Sequence, residues 1–545
     1  MRLSPGVRLV VAIWLVFLCK GVFYAALFPM WEGYDEFAHF AFVQHLATHH
    51  ELTVPENRIS REIERSLELV PLPRPLTQLL SAYTNHDDYW KLPADERLRR
   101  QNDLLRIPVV AQSESGTAFL YEGKQAPLYY WFMWPIHAMA AGTTLPNRVF
   151  LFRLMNILLA SLAVPIAFIT ARRVFLNSQL AVAVSALIAS MPELYVDAAR
   201  VGNQVLAMIL YSLFTLLCLK IVHKGTTYLP LAGVVLGLLM LTKAYCIAAV
   251  PSLMLIAIRC VIKAQAGQKA RIWWSAIAAF SSAIFISAWW YLRNYRLSGA
   301  IMWFDAAPSQ SMTLRQILRH AATVKWLPAL DSLVASHVWF GNWSFLSVRS
   351  WMYRVFEFGA VLAAVGLFII VIRAFRSRAA EDQIINPDDL FVLGSIYGAF
   401  IAALAYQTLM NSINFGVGAS AGWYLYTVIV PEVILITAGL LAFRWGKEIL
   451  AAGVMCFFAL EMYATHFVLI SYYTGLIAHV PKGGLRSFHV SQLKQIGLTE
   501  LLARLEINRP LFMTNPVWLT LWCLFLLNSA ALVYIALMVR KADVG

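Results

Sequence analysis

The stretch VRLVVAIWLVFLCKGVFYAALFPMWEGYDEFAHF, residues 7–40, decides the fold. It begins with an apolar run from Leu9 to Leu27, which is close to the length that crosses the hydrocarbon core of a membrane. Two acids and a histidine, Asp35, Glu36 and His39, follow at the predicted membrane edge. The run has a basic flank, but no small-residue cleavage site follows it. We therefore interpret it as a retained membrane helix and not as a signal peptide.

The composition extends this interpretation to the whole chain. The 545 residues are 60% hydrophobic and only 14% charged, whereas soluble domains carry roughly 25% charged residues. The net charge of +14 lies mostly in short connections between apolar runs, which favours a role in membrane topology and excludes a nucleic-acid partner. The six cysteines lie in or beside apolar runs and form neither a disulfide framework nor a metal-ligand spacing. The sequence predicts an all-α polytopic membrane protein.

Apolar runs predict about twelve transmembrane helices. They cover 9–29, 149–171, 178–192, 203–222, 228–243, 244–262, 272–292, 352–373, 388–410, 423–442, 448–470 and 514–539. The chain then divides into a first helix in 1–29, helices 2–7 in 149–292, helices 8–11 in 352–470 and a last helix with its tail in 514–545. Three long polar segments, 30–148, 293–351 and 471–513, separate these groups.

Lysines and arginines alternate along the predicted connections. Every second connection is basic, with Arg172, Arg173, Lys220, Lys224, Lys263, Lys269, Arg271, Arg373, Arg376, Arg378, Arg444, Lys447, Arg540 and Lys541. Such connections face the cytoplasm in most membrane proteins. The pattern therefore predicts that both termini are cytoplasmic and that the three long polar segments are extracytoplasmic.

The first of these segments, 30–148, is the largest. It contains two charged helical stretches, NRISREIERSLEL and ADERLRRQNDLLR, and ends in EGKQAPLYYWFMWPIHAMAAG. The last piece is too short to span a membrane and contains Pro135. Its tyrosines and tryptophans suit the headgroup zone, so we expect a helix lying at the interface.

Acids at a membrane edge cost free energy unless they are paired or functional. In one interpretation Asp35 and Glu36 only stabilise the positive end of a helix. In the other, Asp35 is a general base that takes a proton from an acceptor hydroxyl. His39 lies one helical turn after Asp35, which places both on one face.

A leaving phosphate would need cations on the same side of the membrane. Lys243, Arg293 and Arg200 are the outer-face candidates, although Lys243 and Arg293 could equally be interfacial anchors. A zinc-peptidase site is excluded, because DEFAH has an aspartate where that helix motif needs its first histidine.

Several motifs resemble, in order, those of GT-C-type glycosyltransferases. YDEFAHF resembles the PDEPAHF piece of an uncharacterised bacterial membrane family, and QAPLYYWF is similar to its PPLYY piece. RLMNILLASLAVPIAF, LGLLMLTK, WWYLRNYRLSG and GWYLYTVIVPE have counterparts too. The likeness covers most of the chain and extends to the aminoarabinose transferase and protein O-mannosyltransferase group and to oligosaccharyltransferase catalytic subunits.

The resemblance implies a GT-C-like fold and an inverting transfer of sugar from a polyprenyl-phosphate-linked donor at the extracytoplasmic face. Asp35 would be the catalytic carboxylate, with Glu36 and His39 in support. Lys243, Arg293 and Arg200 would contact the donor phosphate. Positioning of donor or acceptor would fall to Tyr34, Asn203, Gln204, Trp423 and Tyr424.

Two departures from the family pattern matter. Relatives often have Asn-Asp where this chain has Asn203-Gln204, so a second acid is expected to be missing. Glutamine can orient a hydroxyl but cannot accept its proton. The arginine of the family's GRY piece is Trp423 here, and an aromatic ring suits sugar or prenyl better than phosphate.

Other functions stay open at this point. A lipid or sugar transporter or flippase is one alternative, and a non-catalytic GT-C-like assembly subunit is another. The expected partners are a polyprenyl-phosphate-linked sugar donor, a glycan, lipid or protein acceptor, and membrane lipids. No cofactor is predicted; a divalent cation would be compatible with the chemistry but is not indicated. The expected location is the bacterial inner (plasma) membrane.

Overall fold

The computed structural model describes residues 4–79, 83–299, 312–376, 384–480 and 484–541, and this part of the chain is mainly helical. Ten helical segments are long and apolar enough to cross a membrane. They are Pro5–Leu27, Leu145–Phe175, Gln204–Lys224, Ala244–Lys263, Ala266–Ser298, Ser350–Ala374, Pro387–Phe415, Gly422–Leu441, Gly446–Tyr473 and Asn515–Lys541. The prediction of an all-α polytopic membrane fold is confirmed.

Two further predicted spans take a different form in the structure. The third is a bent pair, Ser178–Ser190 and Pro192–Ala198, with an angle of 63° between its halves. Pro192 explains the break, because proline disfavours helical geometry in the residue before it, and Met191 is extended at φ −73° and ψ 108°. The fifth is the shorter apolar helix Thr226–Met240. Counting the bent pair as one span raises the ten spans of the described residues to eleven.

The segment between the first two spans folds into a domain of short helices. These are Glu36–His49, Arg61–Leu69, Arg74–Leu79, His86–Tyr89, Ala94–Leu105 and Leu128–Ala140. The two charged stretches and the aromatic piece therefore form helices as predicted. The Leu128–Ala140 helix buries Tyr129 and Tyr130 against its neighbours and exposes Trp131 and Trp134. An antiparallel strand pair, Arg58–Ser60 and Ser115–Phe119, adds an element that the sequence analysis did not predict.

Shorter elements lie in the later polar segments and at or within the spans. The helices Leu314–Thr323, Trp326–Val338 and Val490–Glu506 lie in the two later polar segments. Short 3-10 turns occur at Val109–Gln112, Tyr121–Lys124, Thr226–Tyr228, Ala244–Ala248 and Gly422–Val428, and a π-helical turn occurs at Ala464–Leu469. Residues 80–82, 300–311 and 481–483 of the three predicted outer segments, and Arg378 of a predicted basic connection, lie outside the described residues.

A buried ion pair ties the bundle together. Lys20 Nζ lies 3.0 Å from Glu461 Oε2, and both side chains are almost fully enclosed. Tyr24 and Ser529 donate hydroxyl hydrogen bonds to the same carboxylate, at 3.2 and 3.1 Å. Lys20 also donates to the carbonyl of Ala189 at 3.3 Å. Four spans are thereby fixed in register, since charges inside a membrane are stable only when paired.

The outer domain is held to the bundle by an aromatic contact. Trp90 lies between two guanidinium groups, Arg97 at 5.3 Å and Arg504 at 5.2 Å from its ring. Its ring packs directly on Gly475, which has φ +74°. A Cβ atom at that position would lie 2.4 Å from Trp90 Cγ, so only glycine fits.

Candidate active site

The turn after the first span is shaped by one buried arginine. Arg153 donates hydrogen bonds to the carbonyls of Ala25, Phe28 and Pro29, at 2.7 to 3.2 Å. It also forms a bidentate pair with Glu36, at 2.8 and 2.6 Å. Arg153 therefore ends the first span and fixes the start of the next helix in one step.

Glu36, the partner of Arg153, makes further hydrogen bonds inside the protein. Its side chain is fully buried, and it accepts further hydrogen bonds from the backbone N–H groups of Val201 and Gly33, at 3.1 and 3.4 Å. Both carboxylate oxygens of Glu36 are therefore engaged by Arg153 and by these two amides. Glu36 therefore lies beneath the turn, where these contacts hold the backbone before Asp35 in place.

Asp35 lies at the tip of the turn and is partly exposed. Its backbone is in the left-handed region, with φ 56° and ψ 16°, which aspartate tolerates better than most residues. Asp35 Oδ1 accepts a hydrogen bond of 2.6 Å from the Tyr121 hydroxyl. Burial raises the pKa of Asp35, while the Tyr121 hydrogen bond and the charges of Arg200 and Lys243 oppose that rise. The carboxylate is thus a stronger base than an exposed aspartate.

Arg200 is one of the two cations near Asp35. It donates to the Tyr34 carbonyl at 2.9 Å and forms a salt bridge with Asp197. Gly33 packs against it so closely that a Cβ would lie 2.5 Å from Arg200 Cβ. The guanidinium is therefore held rigidly against the turn that carries Asp35.

Lys243 is the second cation. Its Nζ donates to Gln204 Oε1 at 3.2 Å and lies 5.2 Å and 5.8 Å from the ring centres of Tyr245 and Tyr424. In the described part of the chain no carboxylate forms a salt bridge with it. Burial, with Arg200 nearby, lowers the pKa of Lys243. A lysine in this state gains from an anionic ligand that compensates its charge.

Glu122 provides a second carboxyl group beside Asp35. Burial and the nearby charge of Asp35 raise the pKa of Glu122 to about 8. Glu122 Oε2 is buried without a hydrogen-bond partner and lies 3.7 Å from His39 Nδ1. Glu122 is therefore largely protonated at neutral pH, next to the carboxyl group of Asp35.

His39 lies behind this pair. Its Nδ1 forms a hydrogen bond of 2.7 Å with the Tyr130 hydroxyl. Burial, together with the charges of Lys243 and Arg200, holds the pKa of His39 well below its ordinary value. His39 is therefore neutral and supports Glu122 without adding charge.

Gln204 takes the place where the family pattern has an acid. Its amide nitrogen donates to Thr427 Oγ1 at 2.9 Å and to the Trp423 carbonyl at 3.3 Å. Its oxygen accepts from Lys243 and from the Tyr245 hydroxyl. Gln204 thus fixes the head of Lys243 and the backbone of Trp423.

The neighbouring Asn203 is buried. Asn203 Nδ2 donates to the Thr242 carbonyl at 3.2 Å, and Asn203 Oδ1 has no hydrogen-bond partner. This amide therefore holds the connection that precedes Lys243.

Aromatic rings form one wall of the site. The Tyr34 ring lies 4.9 Å from Trp343 and 5.5 Å from Trp423, and Trp423 lies 4.4 Å from Phe340. Tyr34, Phe340 and Trp423 line a small recess together with Arg200. Flat apolar faces of this kind stack against sugar rings or prenyl chains.

Most residues predicted from sequence meet at this place. Asp35, Tyr34, Arg200, Lys243, Gln204, Trp423 and Tyr424 lie together, with His39 and Asn203 just behind. Arg293 does not join them: it donates to the Thr53 carbonyl at 2.7 Å and stacks 5.1 Å from Trp290. The structure thus gives Arg293 an anchoring contact of its own.

Sequence reasoning missed Tyr121, Glu122 and Tyr245. The acid of the relatives' Asn-Asp pair is Gln204 here, and Glu122 brings a different acid close to Asp35 from another part of the outer domain. A signal existed, since YEGK directly precedes the QAPLYYWF motif. Among the described residues, no group of three or more histidines, cysteines or acids could hold a metal ion.

Comparisons with known proteins give similarity at the level of structure. No family model and no curated protein matches the sequence. ArnT from Cupriavidus metallidurans bound to undecaprenyl phosphate superposes with a TM-score of 0.45 at 14% identity, over 98% of this chain and 77% of that one. The same protein in the apo state gives a TM-score of 0.39 at 14% identity, over 86% and 74%.

The Archaeoglobus fulgidus oligosaccharyltransferase in complex with Zn and sulfate is also similar. Its TM-score is 0.39 at 10% identity, over 82% of this chain and 52% of that one.

Proposed function

We propose that this protein is a membrane glycosyltransferase that moves a sugar from a polyprenyl-phosphate-linked donor to an acceptor at the extracytoplasmic face. The observation that carries the proposal is the position of Asp35, a carboxylate within the electrostatic reach of both Lys243 and Arg200 at one end of a membrane bundle. The polyprenyl phosphate class of donor follows from the order of the sequence motifs.

In this proposal Asp35 takes the proton from an acceptor hydroxyl while the oxygen attacks the anomeric carbon. The bond between that carbon and the donor phosphate breaks on the opposite face of the sugar, so the configuration inverts. The leaving phosphate gains negative charge, and Lys243 and Arg200 stabilise it. Fixed charges that need no rearrangement are an effective source of transition-state stabilisation.

The charge balance of the site supports these roles. Arg200 is already paired with Asp197, whereas Lys243 has only neutral contacts among the described residues. Lys243 is therefore the better candidate for direct contact with phosphate, and Arg200 for a longer-range contribution. Protonated Glu122 adds no repulsion for the incoming donor at neutral pH.

The location of the site supports an outward orientation. The connections at the other end of the bundle hold most of the basic residues, and there Arg259 and Lys263 pair with Asp388. Because basic connections face the cytoplasm, Asp35 would face outward, in the inner membrane of a bacterium with both termini inside. A polyprenyl chain could then lie along the bundle while its phosphate stays at the wet interface.

Sugar transfer in membranes tests the proposal. Asp35→Asn is expected to insert normally and to lose at least about a hundredfold in transfer from a labelled polyprenyl-phosphate sugar, because amides cannot act as the base. Asp95→Asn is the matched control, since Asp95 is exposed on the outer domain, and it should transfer normally. Normal transfer by Asp35→Asn would remove Asp35 from the mechanism, and uptake into liposomes without covalent transfer would replace the proposal by a transporter.

A further inference from the structure

An open groove lies between three spans at the end of the bundle opposite Asp35. The spans are Ser178–Ser190, Gly446–Tyr473 and Asn515–Lys541. The walls are apolar and consist partly of small side chains, among them Ala183, Ala186, Leu187, Ala451, Val454 and Ala536. Short side chains on three adjacent helices leave space that the protein itself does not fill.

The mouth of this groove is positively charged. Lys447 and Arg540 line it, one near the start of its helix and one near the end of its own. Neither forms a salt bridge or ring contact among the described residues, and the adjacent acid Glu448 does not line the groove. The N-terminus of the 13-residue Ser178–Ser190 helix, capped by Asn177, adds its partial positive charge.

We propose that this groove binds an anionic phospholipid from the inner leaflet. The headgroup phosphate would lie between Lys447 and Arg540, and an acyl chain would follow the apolar walls. The combination selects for a lipid, because a free phosphate ion gains nothing from the apolar walls and a neutral lipid gains little from the two cations. Basic pockets between spans on the cytoplasmic side are a known type of site for anionic headgroups.

The site is separate from the proposed transfer reaction. It lies at the far end of the bundle from Asp35 and Lys243 and uses none of the residues around them. Lipid binding can therefore be tested whether or not the protein transfers sugar, and the two proposals fail independently.

Native mass spectrometry of the full-length protein tests the proposal. The probe is an equal mixture of phosphatidylglycerol and phosphatidylcholine with matched acyl chains. Wild-type protein should retain phosphatidylglycerol preferentially, and the Lys447→Ala/Arg540→Ala double variant should lose roughly tenfold or more of that preference. The control pair Lys224→Ala/Lys269→Ala removes two exposed cations from the same end and should retain it.

Further variants separate the lipid from simpler explanations. Ala183→Phe narrows the groove without changing charge, and it should also reduce retention of phosphatidylglycerol. Equal retention by the double variant and the control pair would overturn the proposal. So would displacement by inorganic phosphate combined with normal retention in Ala183→Phe, which would mean an ion site only. If the double variant misfolds, the charge-conserving pair Lys447→Arg/Arg540→Lys must keep the preference, and its loss would equally refute the assignment.

Discussion

Neutralising Glu36 should destabilise the protein and disable the site together. Glu36→Gln removes the charge that Arg153 binds at 2.8 and 2.6 Å in a fully enclosed position. Breaking one side of a buried ion pair leaves an uncompensated charge and costs about 3–5 kcal/mol. Arg153 also holds three carbonyls of the turn before Asp35, so the loss of its charged partner should displace Asp35 as well.

The assay measures two quantities on the same purified samples. Apparent melting temperature in detergent reports the loss of stability, and sugar transfer reports the position of Asp35. We expect both to fall in Glu36→Gln. Glu36→Asp keeps a negative charge opposite Arg153 and should retain much more of the stability, whereas Glu36→Gln/Arg153→Met should not, because it also leaves the carbonyls of Ala25, Phe28 and Pro29 without their donor.

One outcome would refute this reasoning. If Glu36→Gln keeps the wild-type melting temperature yet loses transfer, Glu36 acts directly on substrate and not through Arg153. A Glu36→Asp variant as unstable as Glu36→Gln would show instead that the instability does not come from the uncompensated arginine.

Three further predictions concern pH, the membrane core and the domain contact. The pKa of Glu122 is raised to about 8 and burial lowers the pKa of Lys243 to about 8, so both groups lose a proton as pH rises through that value. A pH profile should therefore show transfer falling there. The fall should be shallower in Glu122→Gln, where only Lys243 still titrates, whereas coincident profiles would contradict a role for Glu122. Lys20→Met should cost about 3–5 kcal/mol of stability, read as a lower apparent melting temperature. Lys20→Met/Glu461→Gln should recover most of that stability, and a single variant as stable as wild type would show that the ion pair is dispensable. Gly475→Ala should cost about 1–3 kcal/mol of stability, read as a lower melting temperature, because its Cβ would clash with Trp90 and its backbone is left-handed. Gly267→Ala, with open space around it, should not lower the melting temperature, and equal effects of the two variants would count against the contact.

The spans could be predicted from sequence because each depends on one local property, an apolar run of membrane length. Alternation of the runs then predicted that Asp35, Arg200 and Lys243 share one end of the bundle, and their contacts agree. The break before Pro192 was less visible, since an apolar run looks the same whether its helix is straight or bent.

Glu122 could not be placed from sequence for a different reason. It reaches Asp35 only because the chain returns along the strand pair Arg58–Ser60 and Ser115–Phe119 and then turns at Tyr121–Lys124. This return is a tertiary contact, and no local periodicity in the sequence predicts it. Arg293 is the opposite case. It lies at the predicted end of its span, but its side chain donates a hydrogen bond to the Thr53 carbonyl.

The left-handed backbone at Asp35 has a consequence for engineering. A glycine at this position would adopt φ 56° without the steric cost, and it would also avoid burying a carboxylate. Directed evolution that rewards only heat resistance should therefore discard the aspartate early and enrich glycine in its place. Variants selected for stability in crystallisation or imaging would then lack the proposed base and would not transfer sugar. Such selections should therefore keep residue 35 unchanged.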